Sequence, residues 1–284
     1  MSTRLDGAAT ATGFSALLSR SELAALLLVV LTFNGFANRI AAALADSERA
    51  VAGGLLGLNA VVLFACFAMV RLALDDPAKA TATRADTLLA LVALGAALVP
   101  LKLVSAVALP LVALVVYRCS ITGSAERRIA IIGLALAGSV TLGPVLMAFF
   151  GSSLTQIETS LLPLFTDLRT DGNVLYGADG ATTFVVGGGC SSFANMTLGL
   201  VAVTAFWQLF GGGSTRTMLV WCALAVSAVI AINTLRLTLI GLDPSDYDYL
   251  HNGGGADLFM WATELAVLAV AMAAVLRMQR AHAQ

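Results

Sequence analysis

A cysteine, an arginine and a histidine stand at the edges of apolar runs in the second half of this chain: Cys190, Arg236 and His251. Cys190 follows Gly187-Gly188-Gly189 and precedes Ser191-Ser192, where a polar loop gives way to the apolar run Phe193 to Phe210. A thiol at the start of a helix meets outward-pointing N–H groups and the positive end of the macrodipole, which favours thiolate. The glycines remove side chains beside the sulfur, so another backbone can approach it. A histidine, with an ordinary pKa of about 6.5, is suited to shuttle the thiol proton. An arginine keeps its proton, so it serves to stabilise an oxyanion or thiolate, or to dock a carbonyl. Free N–H groups at Cys190 or Ser191 would be further oxyanion donors. The chemistry these types allow together is nucleophilic acyl transfer.

Each residue also has a plainer explanation. Arginines near span ends snorkel to headgroups, loop histidines are solvated, and cysteines at helix starts pack. The combination carries the weight, because the chain has only two histidines and the other lies in the C-terminal tail.

The elements that must position these groups belong to a membrane protein. The 284 residues are 59% hydrophobic and 12% charged, against about 25% charged in a soluble domain. The net charge of −1 gives no reason to expect nucleic acid. Four cysteines without a CxxC exclude a disulfide scaffold and a common zinc site. Met1 to Thr12 lacks the regions of a cleaved secretory signal, so the first helix is expected to stay as an anchor.

The expected architecture is all-α, a polytopic transmembrane helix bundle of about eight spans forming one domain over 1–284, with a small β-hairpin before the sixth span. The spans are Leu23 to Leu44, Val51 to Val70, a short pair within Leu88 to Tyr117 meeting at Pro100–Lys102 (or a re-entrant hairpin), Ile129 to Phe150, Phe193 to Phe210, Met218 to Ile240 and Leu258 to Leu276. Asn38 and Arg39 are unusual at membrane depth, and either line a cavity or sit at an interface. Ser153 to Phe165 has helical spacing and suits a helix lying on the membrane surface. Gly172 to Gly177 and Thr182 to Val186 read as two strands around Gly177–Gly180.

With eight spans, Arg4, Arg20, Arg71, Lys79, Arg84, Arg118, Arg127, Arg128, Arg216, Arg277 and Arg280 fall on one side, the cytoplasmic one by the positive-inside rule. The loops Gly151 to Gly189 and Gly241 to Gly255, rich in Asp, then face outward, and of the four cysteines only Cys190 lies there. Cys66 and Cys222 read as core residues. The tight turn between the sixth and seventh spans makes them antiparallel neighbours, which brings Cys190 and Arg236 to similar depth. His251, fifteen positions after Arg236, can fold back over both. Asn233 lies one turn before Arg236 and can orient its guanidinium or hydrogen-bond between helices. Ser191 and Asn195 lie near the thiol, with packing the better reading for both. Asp243, Asp246 and Asp248 read as a solvated turn supporting helix starts, not a metal site.

At these residues the sequence resembles the exosortase/archaeosortase family of multi-spanning membrane cysteine transpeptidases. The likeness runs from about Gly151 to Leu276. It rests on the Cys190 loop-to-helix junction, Asn233-Thr234-Leu235-Arg236, and His251 before the last span, in that order. The family often has Cys-Ser-Gly where this chain has Cys190-Ser191-Ser192. The resemblance implies Cys190 as nucleophile, His251 as base or acid, and Arg236 as electrostatic partner; beside them Ser191 and Asn233 are the candidates for substrate or oxyanion support. No cofactor and no metal are expected. The substrate would be the C-terminal sorting signal of an exported protein, made of a short motif, a membrane helix and a basic cluster. An acyl-enzyme would pass that protein to a surface acceptor. Two other readings stay open: a membrane acyltransferase using His251 with a lipid donor, which would not need Cys190, and a non-enzymatic carrier or assembly protein, which predicts polar groups near the midplane.

Overall fold

In the first half of the chain, helix starts fall where the sequence supplies caps. In the computed structural model, which describes residues 18–45, 58–99, 102–211 and 213–282, helix α1 (Arg20–Gly35) opens with a capping box between Ser19 and Glu22. It ends at Phe36 and a second segment, α2 (Ala37–Ala45), follows, so the expected first span is broken rather than continuous. Asn59 caps α3 (Ala60–Leu74). Thr83 and Asp86 form the capping box of α4 (Arg84–Leu98), and α5 (Lys102–Cys119) follows. The expected helical pair within Leu88 to Tyr117 is therefore present. Its junction at residues 100 and 101, like Met1 to Thr12 and the start of the second span, lies outside the described residues.

Ser124 caps α6 (Ala125–Ala137), which runs through one π-helical turn, Gly138–Leu142, into α7 (Gly143–Thr159). Ser153 to Thr159 continues this helix and is not a separate surface segment. Hydrogen bonding simply carries past Phe150. The π turn widens the helix, and α1 approaches it closely: a Cβ on Gly35 would stand 2.7 Å from Val140.

Three strands follow, in the order β1 (Thr170–Asp171), β2 (Val174–Tyr176) and β3 (Thr183–Val185), all antiparallel. The hairpin expected from sequence is β2–β3, with Leu175 opposite Phe184; β1 is additional. Gly180, at φ +70°, supplies the left-handed turn residue, and Asp179 accepts from the amides of Ala181 and Thr182 across that turn. Leu175 and Leu162 are fully buried with Leu168, Val186 and Leu237. This small core seats the sheet on helix α9 (Thr215–Leu242).

Helix α8 (Phe193–Leu209) is the axis of the bundle. It packs on α3, α6, α9 and α11 (Gly254–His282). Val201 and Ala205 join the core built by Leu28, Met69, Ile129 and Ile132, while Val203 and Trp207 join one with Cys222 and Ala271. A helix apolar on all sides is a buried helix. The outer helices turn apolar side chains outward, with Leu91 65% and Leu98 85% exposed on α4 and Val220 59% on α9, a pattern that suits lipid and not water.

Three stretches are long and apolar enough to cross a membrane among the described residues: Ala125–Leu164, Thr215–Leu242 and Gly254–Arg280. Shorter apolar helices, Ala60–Leu74, Val104–Cys119 and Phe193–Leu209, accompany them. Basic side chains gather at the end of the bundle away from the sheet. There Arg20 pairs with Asp86 at 3.1 Å, Arg127 covers the Tyr117 ring, and Arg128 donates to the carbonyls of Gln208 and Leu209 at the end of α8.

Candidate active site

Cys190, Arg236 and His251 reach one place from three elements. Cys190 ends a single 3-10 turn, Gly188–Cys190. Arg236 lies on α9, one turn after Asn233. His251 lies on a short helix, α10 (Tyr247–Asn252), in a loop where sequence reading expected no helix. The Cys190 Sγ stands 3.5 Å from Nδ1 and 3.9 Å from Nε2 of His251. Arg236 Nη2 donates to the Cys190 carbonyl at 3.2 Å, and Asn233 Nδ2 to the same oxygen at 3.0 Å. Asn233 thus shares the acceptor with Arg236 instead of orienting its guanidinium. Arg236 Nε is buried and has no hydrogen-bond partner among the described residues.

The local backbone differs from expectation in a way that changes the chemistry. Helix α8 starts at Phe193, not at Cys190, and the 3-10 turn uses the amides beside the thiol. Cys190 N–H donates to Gly187 O at 2.9 Å and Ser191 N–H to Gly188 O at 3.3 Å. Neither is a free oxyanion donor. The next amide, of Ser192, donates to the carboxylate of Glu158 at 3.0 and 3.2 Å. Glu158 also accepts from the hydroxyls of Ser191 at 2.9 Å and Ser192 at 2.5 Å. Ser191 is therefore a brace of the loop, and its Oγ also accepts from Phe193 N–H.

This arrangement works against the expected thiolate. Burial pushes the Cys190 thiol above its ordinary value. The Gly187 backbone and the Arg236 charge pull it down, the nearby Glu158 charge adds to the rise, and the balance is upward. Sequence reading missed Glu158. The signal for it was an absence: α8 carries no acidic residue in its first turn, which leaves its amides open to a carboxylate from another element.

His251 is held by stacking. Its ring lies 4.9 Å from that of Tyr247, one turn earlier on α10, and Tyr247 lies 5.0 Å from Phe184 on β3. The sheet thereby reaches the site through a column of three rings. Around the sulfur, Cβ atoms built on Gly187 or Gly189 would meet nothing within 4 Å, and one on Gly188 would meet only Met147. The approach expected from the glycines is open. Beside it, a cavity of about 580 Å³ lies between α1, the π turn and α8, lined by Asn59, Ser139, Thr141, Met147, Phe193 and Thr197 among others.

Asn195 does not join the thiol's partners. It lines a smaller cavity with Asn59, Thr263 and Glu264. Asn38 lines the larger cavity, and the Arg39 side chain lies outside the described residues. Asp243 caps its own turn through Ser245, and Asp246 and Asp248 are exposed. No group of three or more His, Cys, Asp or Glu able to hold a metal ion occurs among the described residues.

Comparison of the chain with protein-family models, with curated proteins and with solved structures gave no match.

Proposed function

We propose that this protein is a membrane cysteine transpeptidase or protease of the exosortase/archaeosortase type, acting on C-terminal sorting signals of exported proteins. The observation that carries the reading is the 3.5 Å approach of the Cys190 sulfur to the His251 ring, with the Arg236 guanidinium bonded to the same cysteine's carbonyl. A nucleophile, a proton acceptor and a fixed positive charge at one point are the parts acyl transfer needs.

In this reading His251 takes the thiol proton as the sulfur bonds to the scissile carbonyl carbon and the carbonyl electron pair moves onto oxygen. The turn's own amides are engaged, so the developing oxyanion falls to Arg236. Collapse of the intermediate expels the amine, which takes the proton back from His251, and a thioester on Cys190 remains. An acceptor amine or hydroxyl then attacks the thioester, gives its proton to the imidazole, and frees the thiol.

The membrane arrangement is part of the proposal. Helices α1 with α2, α3, α4, α5, α6 with α7, α8, α9 and α11 supply about eight passages. The basic end of the bundle then faces the cytoplasm and the sheet end, with the site, faces outward. A substrate helix beside α7 and α8 would present its polar flank at the level of Cys190. The test is intact-mass analysis of a co-expressed protein bearing a motif, an apolar helix and a basic tail. Loss of the tail with wild-type protein and none with Cys190→Ala is expected. Equal processing by both would refute the reading.

A further inference from the structure

Glu158 lies on α7, one residue before its end, and its shortest hydrogen bonds go to the segment that follows the nucleophile. Its carboxylate takes the Ser192 amide and both serine hydroxyls, and Asn233 Nδ2 lies 3.5 Å from Oε2. Ser191 and Ser192 are 7% and 1% exposed, so these are enclosed bonds. From the other side, Asn233 and Arg236 hold the Cys190 carbonyl. The chain directly after the nucleophile's side chain is thus held from two elements, α9 and α7.

The position of the carboxylate matters as much as its bonds. The first free amides of a helix stabilise an anion placed against them. In a preformed thiolate–imidazolium pair that anion would be the sulfur. Here the place belongs to Glu158, and the two amides nearer the sulfur are spent within the turn. The charged or titratable groups facing Cys190 are His251 from α10, Arg236 from α9 and Glu158 from α7.

We propose that Glu158 is a positioning residue for Cys190, clamping the loop against His251 and occupying the helix-start amide that would otherwise favour a thiolate, so that the resting proton sits on sulfur. This rests on Cys190 being the nucleophile. The proton stays on sulfur in the resting site and passes to the ring as the carbon–sulfur bond forms.

The test is the pH dependence of Cys190 alkylation by iodoacetamide in the purified full-length protein, read on the Cys190 peptide by mass spectrometry. A single rise in rate at alkaline pH, with no reactive plateau at neutral pH, is expected for the unaltered chain. Glu158→Gln keeps an acceptor for the Ser192 amide and removes the charge. Its rise should move to lower pH by roughly one unit. Glu158→Ala should in addition speed hydrogen exchange of the Ser192 amide about tenfold, equivalent to about 1.4 kcal/mol. A neutral-pH plateau in the unaltered protein, or a Glu158→Gln profile superimposable on it, would overturn the proposal. A purely structural role would lower stability without moving the profile. Alkylation needs no substrate, so this result is separate from whether Cys190→Ala abolishes tail removal.

Discussion

Cys190 and His251 are 61 positions apart in the chain, and both ring nitrogens of His251 lie within 4 Å of the cysteine sulfur. Either nitrogen can therefore receive the proton. No carboxylate bonds the ring among the described residues, so the imidazole is not steered as in a Ser-His-Asp arrangement. His251→Ala removes the acceptor while leaving the 3-10 turn and its Glu158 contacts in place. Tail removal should fall by 10²- to 10⁴-fold, the range for loss of a positioned base, with no change in the thermal unfolding midpoint beyond a few degrees. A loss under tenfold would assign the proton transfer elsewhere.

Stacking takes over the steering. The column Phe184, Tyr247, His251 links β3 to the imidazole, and such ring pairs contribute about 0.5–1.5 kcal/mol beyond area burial. Tyr247→Leu keeps bulk and loses the ring. A two- to tenfold drop in tail removal is expected, with Cys190 still alkylated at the unaltered rate. If alkylation changes as much as processing, Tyr247 acts on the loop and not on the imidazole.

Arg236 and Asn233 share one acceptor, the Cys190 carbonyl, but only Arg236 brings charge. Asn233→Leu removes one of two donors and should cost stability of the site by about 1–3 kcal/mol. Arg236→Lys keeps a charge and loses the planar fork. Asn233→Leu should therefore be read mainly in the melting curve, and Arg236→Lys mainly in the processing rate at saturating substrate. Equal effects of the two on both readouts would mean that the carbonyl bond, and not the charge, is what Arg236 contributes.

The parts of this site that sequence reading reached were those set by residue type and by long apolar runs. One of only two histidines and the arginine after Asn233 stood out because such groups are rare in so apolar a chain. Helix α8 was legible because it is a long, mostly apolar run. Glu158 was not, because its bonds join residues 33 and 34 positions apart and a carboxylate in a polar loop looks solvated. Helix α10 was hidden by its six-residue length, too short for periodicity. The two residues between Cys190 and the true helix start, Ser191 and Ser192, set which amides lie beside the thiol, and helix boundaries are what local pattern fixes least well. The π turn had no pattern to show, since one added residue in a helical run leaves composition unchanged.

Cys119 and Cys190 offer a check on orientation. Cys119 is exposed at the end of α5, where its carbonyl accepts from Arg20, at the basic end of the bundle. Cys190 is at the other end, while Cys66 and Cys222 are buried. In intact cells a membrane-impermeant maleimide at mildly alkaline pH should label Cys190 and spare Cys119. After permeabilisation both should label. Labelling of Cys119 alone from outside would invert the bundle and place the site in the cytoplasm.

Gly241 marks where the sheet meets the bundle. A Cβ there would stand 2.7 Å from Leu168 Cδ1 and 3.3 Å from Leu175 Cδ2, both in the small core that seats the strands on α9. Its carbonyl also accepts from Ala178 N–H at 2.8 Å. Alanine at this position gains up to about 1 kcal/mol of helix propensity, and the leucine methyls have some freedom to shift, so Gly241→Ala should be close to neutral. Valine adds two methyls against buried neighbours, and overpacking of that kind costs about 1–3 kcal/mol. The strain falls on the sheet, because α9 is held along its length by α8 and α11. Gly241→Val should thus make the turn around Asp179 and Gly180 sensitive to protease while the helices keep their far-ultraviolet circular dichroism. Processing should fall with it, because a displaced β3 carries Phe184 away from Tyr247. Protease sensitivity without any loss of processing would show that the ring column is not what holds His251 over the thiol.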